Sequence, residues 1–321
     1  MAVVEVEKLT KIYVRDFLDV EHGRLKLRLA GRKTVALDHL TMQVQQGEIF
    51  GLLGPNGAGK TTTLKILMGI HFPTAGRARI LGRPLGDLHV KRRIGFLPEN
   101  PYFYDYLRGW EFLDFYGQLY GMARAARRKK IEELLTRVGL EHAANLPLRG
   151  YSKGMNQRIG LAQSLLNDPD LVFLDEPQSG LDPLGRKDIR DLIISLRAQG
   201  KTVLFSSHIL QDAELICDRV AILDKGQLKA IGHLAELLSG TVRSWEIVFR
   251  GLSAERIEAW RPRMRNLVES KGDYLAILEE KGGVDELIRE TLAQGGEVIS
   301  LTPHRQTLEE YFVSEVGGKG A

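Results

Sequence analysis

Gly54-Pro55-Asn56-Gly57-Ala58-Gly59-Lys60-Thr61-Thr62 decides how this chain is read. The stretch fits the pattern G-x-x-x-x-G-K-[ST], and its context gives the pattern meaning. The apolar run Ile49–Leu53 precedes it as a strand, and Thr62–Met68 follows it as a helix. Glycines let the backbone curl so that successive N–H groups converge on phosphate oxygens at the start of that helix. Lys60 can then reach the outer phosphates, and the Thr61 hydroxyl can ligate Mg²⁺. The plain alternative is a glycine-rich turn that happens to hold Lys-Thr. The flanking strand and helix argue against it.

Further along, Leu171-Val172-Phe173-Leu174-Asp175-Glu176-Pro177 sets two carboxylates at the end of a buried strand. Asp175 there can hold Mg²⁺, directly or through water, while Glu176 polarises an attacking water as general base. Such a pair alone suits a loop start or a helix cap equally well. Downstream of a phosphate loop it points to nucleotide hydrolysis. His208 follows the apolar run Thr202–Ser206, where an imidazole can contact a γ-phosphate and orient water. A lone histidine is more often structural; its position after the acidic pair favours a catalytic one.

The chain has 321 residues, room for one large domain and a smaller one. Apolar residues make up 43% and charged residues 27%, a globular balance, and the net charge of +4 gives no argument for nucleic acid. Cys217 is the only cysteine, which excludes an intrachain disulfide and suits a reducing compartment. No apolar run reaches the roughly 18–20 residues of a membrane-crossing helix. The opening Met-Ala-Val-Val-Glu alternates as a strand does, unlike a secretion signal. The expected location is cytoplasmic, with any membrane role exerted through a partner.

Val4, Val6 and Leu9 open a strand expected to end near Tyr13, and the charge-rich Arg15–Thr34 stretch is expected to be an inserted loop. Alternation resumes at Leu40, Met42 and Val44. Phe112, Phe115, Tyr116 and Leu119 share helical spacing, as do Ile131, Leu134, Leu135 and Val138. Buried strands at Leu171–Leu174 and Thr202–Ser206, with a helix around Asp188–Gln199 between them, imply a largely parallel sheet covered by helices. Asp224-Lys225-Gly226 reads as the turn of a hairpin joining Arg219–Leu223 to Gln227–Ile231.

Beyond about Gly240 the pattern changes. Trp245, Ile247 and Phe249 mark a strand and Ala254–Trp260 a helix. The strands Leu267–Ser270 and Tyr274–Leu278 flank a turn at Gly272-Asp273. A helix at Val284–Leu292, a strand at Val298–Leu301 and a helix at Thr307–Val313 complete an order that permits a small ferredoxin-like α+β domain. The expected division is an α/β phosphate-loop domain over 1–240, with a helical subdomain at about 100–160, and an accessory domain over 241–321.

Tyr151-Ser152-Lys153-Gly154-Met155-Asn156-Gln157-Arg158 narrows the family. It resembles the Leu-Ser-Gly-Gly-Gln signature of ATP-binding-cassette (ABC) proteins, in the variant of bacterial export-type cassettes. In order, Ser179-Gly180-Leu181-Asp182 is similar to the D-loop, Ser206-Ser207-His208 to the switch histidine, and Tyr13 to the adenine-stacking aromatic. The resemblance covers the first three-quarters of the chain. It implies the cassette fold, ATP with Mg²⁺, and a signature that works in trans. Ser152, Lys153, Gly154, Met155 and Asp182 would serve a nucleotide held by the opposite cassette.

Two positions depart from the family pattern. Glu99 stands where a Q-loop glutamine is usual, and the resemblance implies that it approaches Mg²⁺ or the water. Lys153 replaces a signature glycine, either attracting the γ-phosphate or facing solvent. For Tyr13, packing at a strand end is the alternative to adenine stacking.

The resemblance also implies partners: a transmembrane permease on a separate chain and a second cassette, in a homodimer or with a similar chain. Membrane contact would come only through the permease, at the inner face of the cell membrane, with no nucleic acid bound. Tyr102, Phe103, Tyr104, Tyr106 and Trp110 crowd where family members meet that subunit, or else pack inside the helical subdomain. Arg124, Arg127, Arg128, Lys129 and Lys130 read as a solvated helix face. The competing class is a soluble cassette ATPase acting on ribosomes or DNA. Its members carry two cassettes or long coiled-coil insertions, and the interval from Lys60 to Ser152 holds only a helical subdomain. A phosphate-loop kinase or GTPase has no use for the Ser152 and Asp182 motifs.

Overall fold

Ile49–Leu53 is buried at every position and has parallel strands on both sides, as its unbroken apolar run requires. It lies in a computed structural model that describes all residues except 16–17, 22–23, 28–31, 239–241, 243, 280, 305 and 318–321. Packing divides the chain into two compact units, Met1–Leu234 with Glu315–Ala321, and Ala235–Ser314. Gly240, the expected border, lies outside the described residues.

The first unit begins with β1 (Ala2–Arg15), β2 (Leu18–Glu21), β3 (Arg24–Leu27), β4 (Arg32–Gln45) and β5 (Ile49–Leu53). Then come α1 (Lys60–Leu67), β6 (Ala75–Ile80), β7 (Arg83–Pro84), α2 (Leu88–Lys91) and β8 (Ile94–Leu97). Three helices follow, α3 (Gly109–Leu119), α4 (Arg124–Arg137) and α5 (Lys153–Ser164). The chain returns to the sheet with β9 (Leu171–Asp175), α6 (Pro183–Ala198), β10 (Thr202–Ser207), α7 (Leu210–Ile216), β11 (Arg219–Asp224) and β12 (Gln227–His233).

The six-stranded sheet has the order β12-β11-β5-β10-β9-β8. Its strands are parallel except β12, which pairs antiparallel with β11. The β11–β12 turn places Lys225 at φ 47° and Gly226 at φ 80°, the left-handed pair a two-residue hairpin demands. Register positions the site: Ser207 lies opposite Leu53, and Ser206 opposite Asp175. The three central strands thus release their loops at one sheet edge, where ligands bind in open α/β sheets.

Two expectations for this unit need correction. The Arg15–Thr34 stretch is not simply a loop. β1 and β4 pair out to Arg15 opposite Arg32, and β2 and β3 form a two-stranded antiparallel hairpin. Exposed ladder positions such as Val14 opposite Lys33 tolerate charge, which hid the pairing from the pattern. The rest of the expected insertion, 16–17, 22–23 and 28–31, lies outside the described residues. On α3, Phe112, Leu113 and Gly117 are buried, while Phe115 and Leu119 are 37% and 67% exposed. The helix packs on α4 through Gly117, where a Cβ would overlap the Arg127 side chain, so its buried face is rotated from the apolar row. The expected α4 face is buried throughout.

After the short helix α8 (Leu234–Leu237), the second unit holds β13 (Ser244–Arg250), α9 (Ala254–Trp260), β14 (Asn266–Ser270), β15 (Asp273–Leu278), α10 (Lys281–Ala293) and β16 (Glu297–His304). The last helix is α11 (Leu308–Gly317). Its sheet order is β14-β15-β13-β16, antiparallel throughout. Ile247, Phe249, Trp260, Ala276 and Leu287 form its core. The β14–β15 turn uses Lys271 (φ 54°) and Gly272 (φ 87°), one residue earlier than Gly272-Asp273. Among the described residues no helix is long and apolar enough to cross a membrane.

Candidate active site

The loop between β5 and α1 is built on left-handed glycines: Gly54 at φ 151°, Gly57 at φ 82° and Gly59 at φ 104°. At Gly54 a Cβ would overlap the Leu223 carbonyl, and at Gly59 it would meet the Ala36 carbonyl at 2.5 Å. No other residue type fits there. Gly59 caps α1 without a side chain, so the first N–H groups of the helix remain available to an anion.

Lys60 folds back over this loop, and its ammonium donates to the carbonyls of Gly54 (2.7 Å) and Pro55 (3.1 Å). It also pairs with Glu176 Oε1 at 3.1 Å; the side chains are 5% and 6% exposed. On the other Glu176 oxygen, His208 places Nδ1 at 2.8 Å and its backbone N–H at 3.3 Å. Glu176 holds φ at 48°, a strained conformation for a residue with a side chain, and these partners pin it there.

Asp175 accepts from the Thr61 hydroxyl at 3.0 Å and from the Ser206 hydroxyl at 2.7 Å. Ser206 accepts in turn from the Glu176 N–H at 2.9 Å. Burial pushes the Asp175 carboxyl above its usual range, and the neighbouring Glu176 charge adds to the rise, against the two hydroxyl hydrogen bonds. Lys60, Thr61, Asp175, Glu176, Ser206 and His208 therefore form one connected network at the sheet edge. Such a network can grip a triphosphate, hold a hard cation and draw a proton from water.

Residues 37–179 match the family described as "ABC transporter". An uncharacterized ABC transporter ATP-binding protein of Nostoc sp. is 48% identical over 288 residues, spanning 89% of this chain and 84% of that protein. The chain belongs to the ABC transporter family. It is the ATP-binding, ATP-hydrolysing subunit of such a transporter. A Nod factor export ATP-binding protein of Ralstonia nicotianae is 37% identical over 247 residues, 76% of this chain and 77% of that protein. A solved dimeric ATP-binding cassette in a post-hydrolysis state with ADP and Pi aligns at TM-score 0.63 and 26% identity, covering 72% of this chain and 98% of that one.

Among the described residues no hydrogen bond or ion pair joins Tyr13, Glu99, Ser152, Lys153 or Asp182 to this network. Ser152 caps α5 and accepts from the Met155 N–H at 3.2 Å. Asp182 caps α6 and accepts from the Gly185 N–H at 2.9 Å, with Pro183 in the first turn. Lys153 stands over Gly180, where an added Cβ would overlap its ammonium. Glu99 is exposed beyond β8. Tyr13 is half-buried, edge-on to His71 with 6.0 Å between ring centroids, and Lys11 Nζ lies 5.0 Å from its ring.

The aromatic cluster divides. Phe103 packs on Phe112 at 4.6 Å, whereas Tyr102, Tyr104 and Tyr106 are exposed. In the basic cluster Arg128 pairs with Glu132 and Lys130 with Glu133 along the helix, whereas Arg127, only 12% exposed, pairs with Asp114 and packs against Gly117 of α3 instead of facing solvent as expected. Ser206 was not anticipated as a site residue. Its signal was a hydroxyl inside a buried strand run, but only register sets it opposite Asp175.

Proposed function

We propose that this cassette powers an exporter, closing on ATP as a dimer and driving a transmembrane permease on a separate chain. The observation that carries the catalytic part is the buried pair of Lys60 and Glu176, with His208 on the second Glu176 oxygen. The export direction is supported by the likeness to the Nod factor export protein.

In this reading Gly54, Pro55, Asn56, Gly57, Ala58, Gly59 and Thr62 wrap the phosphates, and Tyr13 stacks on the adenine. Lys60 binds the β- and γ-phosphates. Glu176 accepts a proton from water as its oxygen attacks the γ-phosphorus and ADP departs, and His208 orients the water and the γ-phosphate. The Thr61 hydroxyl and the Asp175 carboxylate, 3.0 Å apart, are oxygen donors of the type Mg²⁺ prefers, with Glu99 approaching from the segment after β8. Mg²⁺, when bound, neutralises charge on the phosphate oxygens.

Ser152 and the backbone N–H groups of Lys153, Gly154 and Met155 contact the γ-phosphate held by the opposite cassette, with Asp182 on the loop beside them. The exposed Tyr102, Tyr104 and Tyr106 meet the permease, and the cassette sits at the cytoplasmic face of the membrane. Within residues 241–321, the sheet of β13 to β16 with α9 and α10 is a ferredoxin-like accessory domain. The order β14-β15-β13-β16 supports it, since a split βαβ-βαβ arrangement interleaves its strands in that way.

Co-purification in mild detergent tests this reading. It expects the cassette in washed membranes together with a membrane-spanning partner, and its loss from them when that partner is deleted. Recovery with ribosomes instead would contradict it.

A further inference from the structure

Asp212 sits in the first turn of α7, four residues after His208, and its side chain is only 6% exposed. A carboxylate that deep is costly unless it is paired. Its partners both come from α6. Arg190 Nη1 donates to Asp212 Oδ1, and Arg186 Nη1 stands 3.8 Å from Asp212 Oδ2. The two arginines are four residues apart, so one face of α6 offers both. None of the three has a part in the reaction described above.

The start of α6 is itself tied to the segment that leaves Glu176. Buried Gln178 donates from Nε2 to the Arg186 carbonyl at 3.4 Å, and the Arg186 N–H donates to the Asp182 carbonyl at 3.0 Å. His208 lies between two elements. Before it, β10 ends at Ser207, held in register opposite Leu53. After it, α7 starts at Ile209, whose side chain cannot cap the helix. Burial of Leu210, Ala213 and Ile216 seats α7, but apolar burial is non-directional. A guanidinium on a carboxylate fixes direction as well.

We infer that the Asp212–Arg190 ion pair, with Arg186 as a second arm, is a positioning device for His208. It locks the start of α7 to α6 and so keeps the imidazole 2.8 Å from Glu176 Oε2. The inference rests on the reading in which His208 orients the water and the γ-phosphate. Asp212 acts through His208 and touches no reacting atom. Removing its charge leaves the Arg190 guanidinium without its partner at 20% exposure, and the start of α7 loses its directional anchor.

A double-mutant cycle in steady-state and single-turnover ATP hydrolysis tests it, with Asp212→Asn, His208→Ala and the combination. Asparagine keeps the size of the side chain and removes its charge. Asp212→Asn is expected to lower kcat about tenfold while KM for ATP moves less than about twofold, a fraction of what a misplacement of about 1 Å can cost. His208→Ala is expected to lower kcat about 100-fold. In that background Asp212→Asn should cost less than about twofold, because no imidazole is left to misplace. A merely structural ion pair would cost the same in both backgrounds. Arg190→Gln repeats the cycle from the α6 side with Arg186 still in place, and it decides the matter if Asp212→Asn does not fold. If His208→Ala alone leaves turnover unchanged, the role of His208 falls and the inference falls with it. If His208→Ala lowers turnover and the second substitution adds its full loss, the inference alone is overturned.

Discussion

Two helix starts in this cassette, both proposed to meet phosphate, are built in opposite ways. At α1 the cap is Gly59, which offers no side chain, and the lysine that follows is buried against Glu176 and two carbonyls. At α5 the cap is Ser152, whose own hydroxyl accepts from Met155, and the lysine that follows is exposed. The first assembles cation, carboxylates and histidine within one chain. The second presents a capped helix end with no acid in its first turn and no catalytic partner joined to it. In the proposed reading, the contrast is the physical basis for a nucleotide site shared between two chains: one half grips, the other completes.

The largest effect should come from the gripping half. Glu176→Gln removes the proton acceptor and should lower ATP turnover by about 10²- to 10⁴-fold while nucleotide binding persists, as single-turnover assays can show. Unchanged turnover would remove Glu176 from its role. Lys60→Ala should weaken ATP binding about 10- to 100-fold in a fluorescent-nucleotide titration, the usual worth of charge-assisted hydrogen bonds. Ser152→Ala should cut turnover roughly tenfold, through a cap and a phosphate contact worth about 1 kcal/mol each. Affinity of the isolated chain for ATP should stay near that of wild type. An equal loss of affinity in the Lys60 and Ser152 variants would erase the distinction between the two helix starts.

The smallest predicted effect concerns stability. Burial, helped by the Glu176 charge, raises the Asp175 pKa, so the fold favours its protonated form. The stability this contributes is complete below the ordinary carboxylate range and disappears as pH rises through the raised value. Above that raised value the ionised carboxylate destabilises the fold, a cost that its proposed metal-holding role would offset. Asp175→Asn, measured without nucleotide, should therefore raise the melting temperature by about 2–4 °C, and the gain should shrink in acid. A lower melting temperature would mean that the Thr61 and Ser206 hydrogen bonds outweigh desolvation.

Much of the gripping half was legible because its chemistry is contiguous. Nine residues around Lys60 hold a loop and its helix start in one stretch, and seven around Asp175 hold a strand end and its loop. Ser206 was not, since its meaning comes from parallel register with Asp175 across β9 and β10. The face of α3 was misjudged because apolar spacing records which residues can be buried, whereas Gly117 against Arg127 determines which are. The β1–β4 extension escaped because long antiparallel arms can carry charges on open faces, which weakens the alternation on which strand reading depends. In the second unit every expected strand and helix is present, but the hairpin turn lies one residue earlier, β16 runs on to His304, and its mostly exposed residues gave no alternation to mark that end.

Sedimentation of the Glu176→Gln variant with and without ATP and Mg²⁺ tests the shared site most directly. The account predicts a dimer with nucleotide, a monomer without it, and loss of the dimer when Ser152→Ala is added. A variant that binds ATP yet stays monomeric, alone and beside its membrane partner, would contradict it.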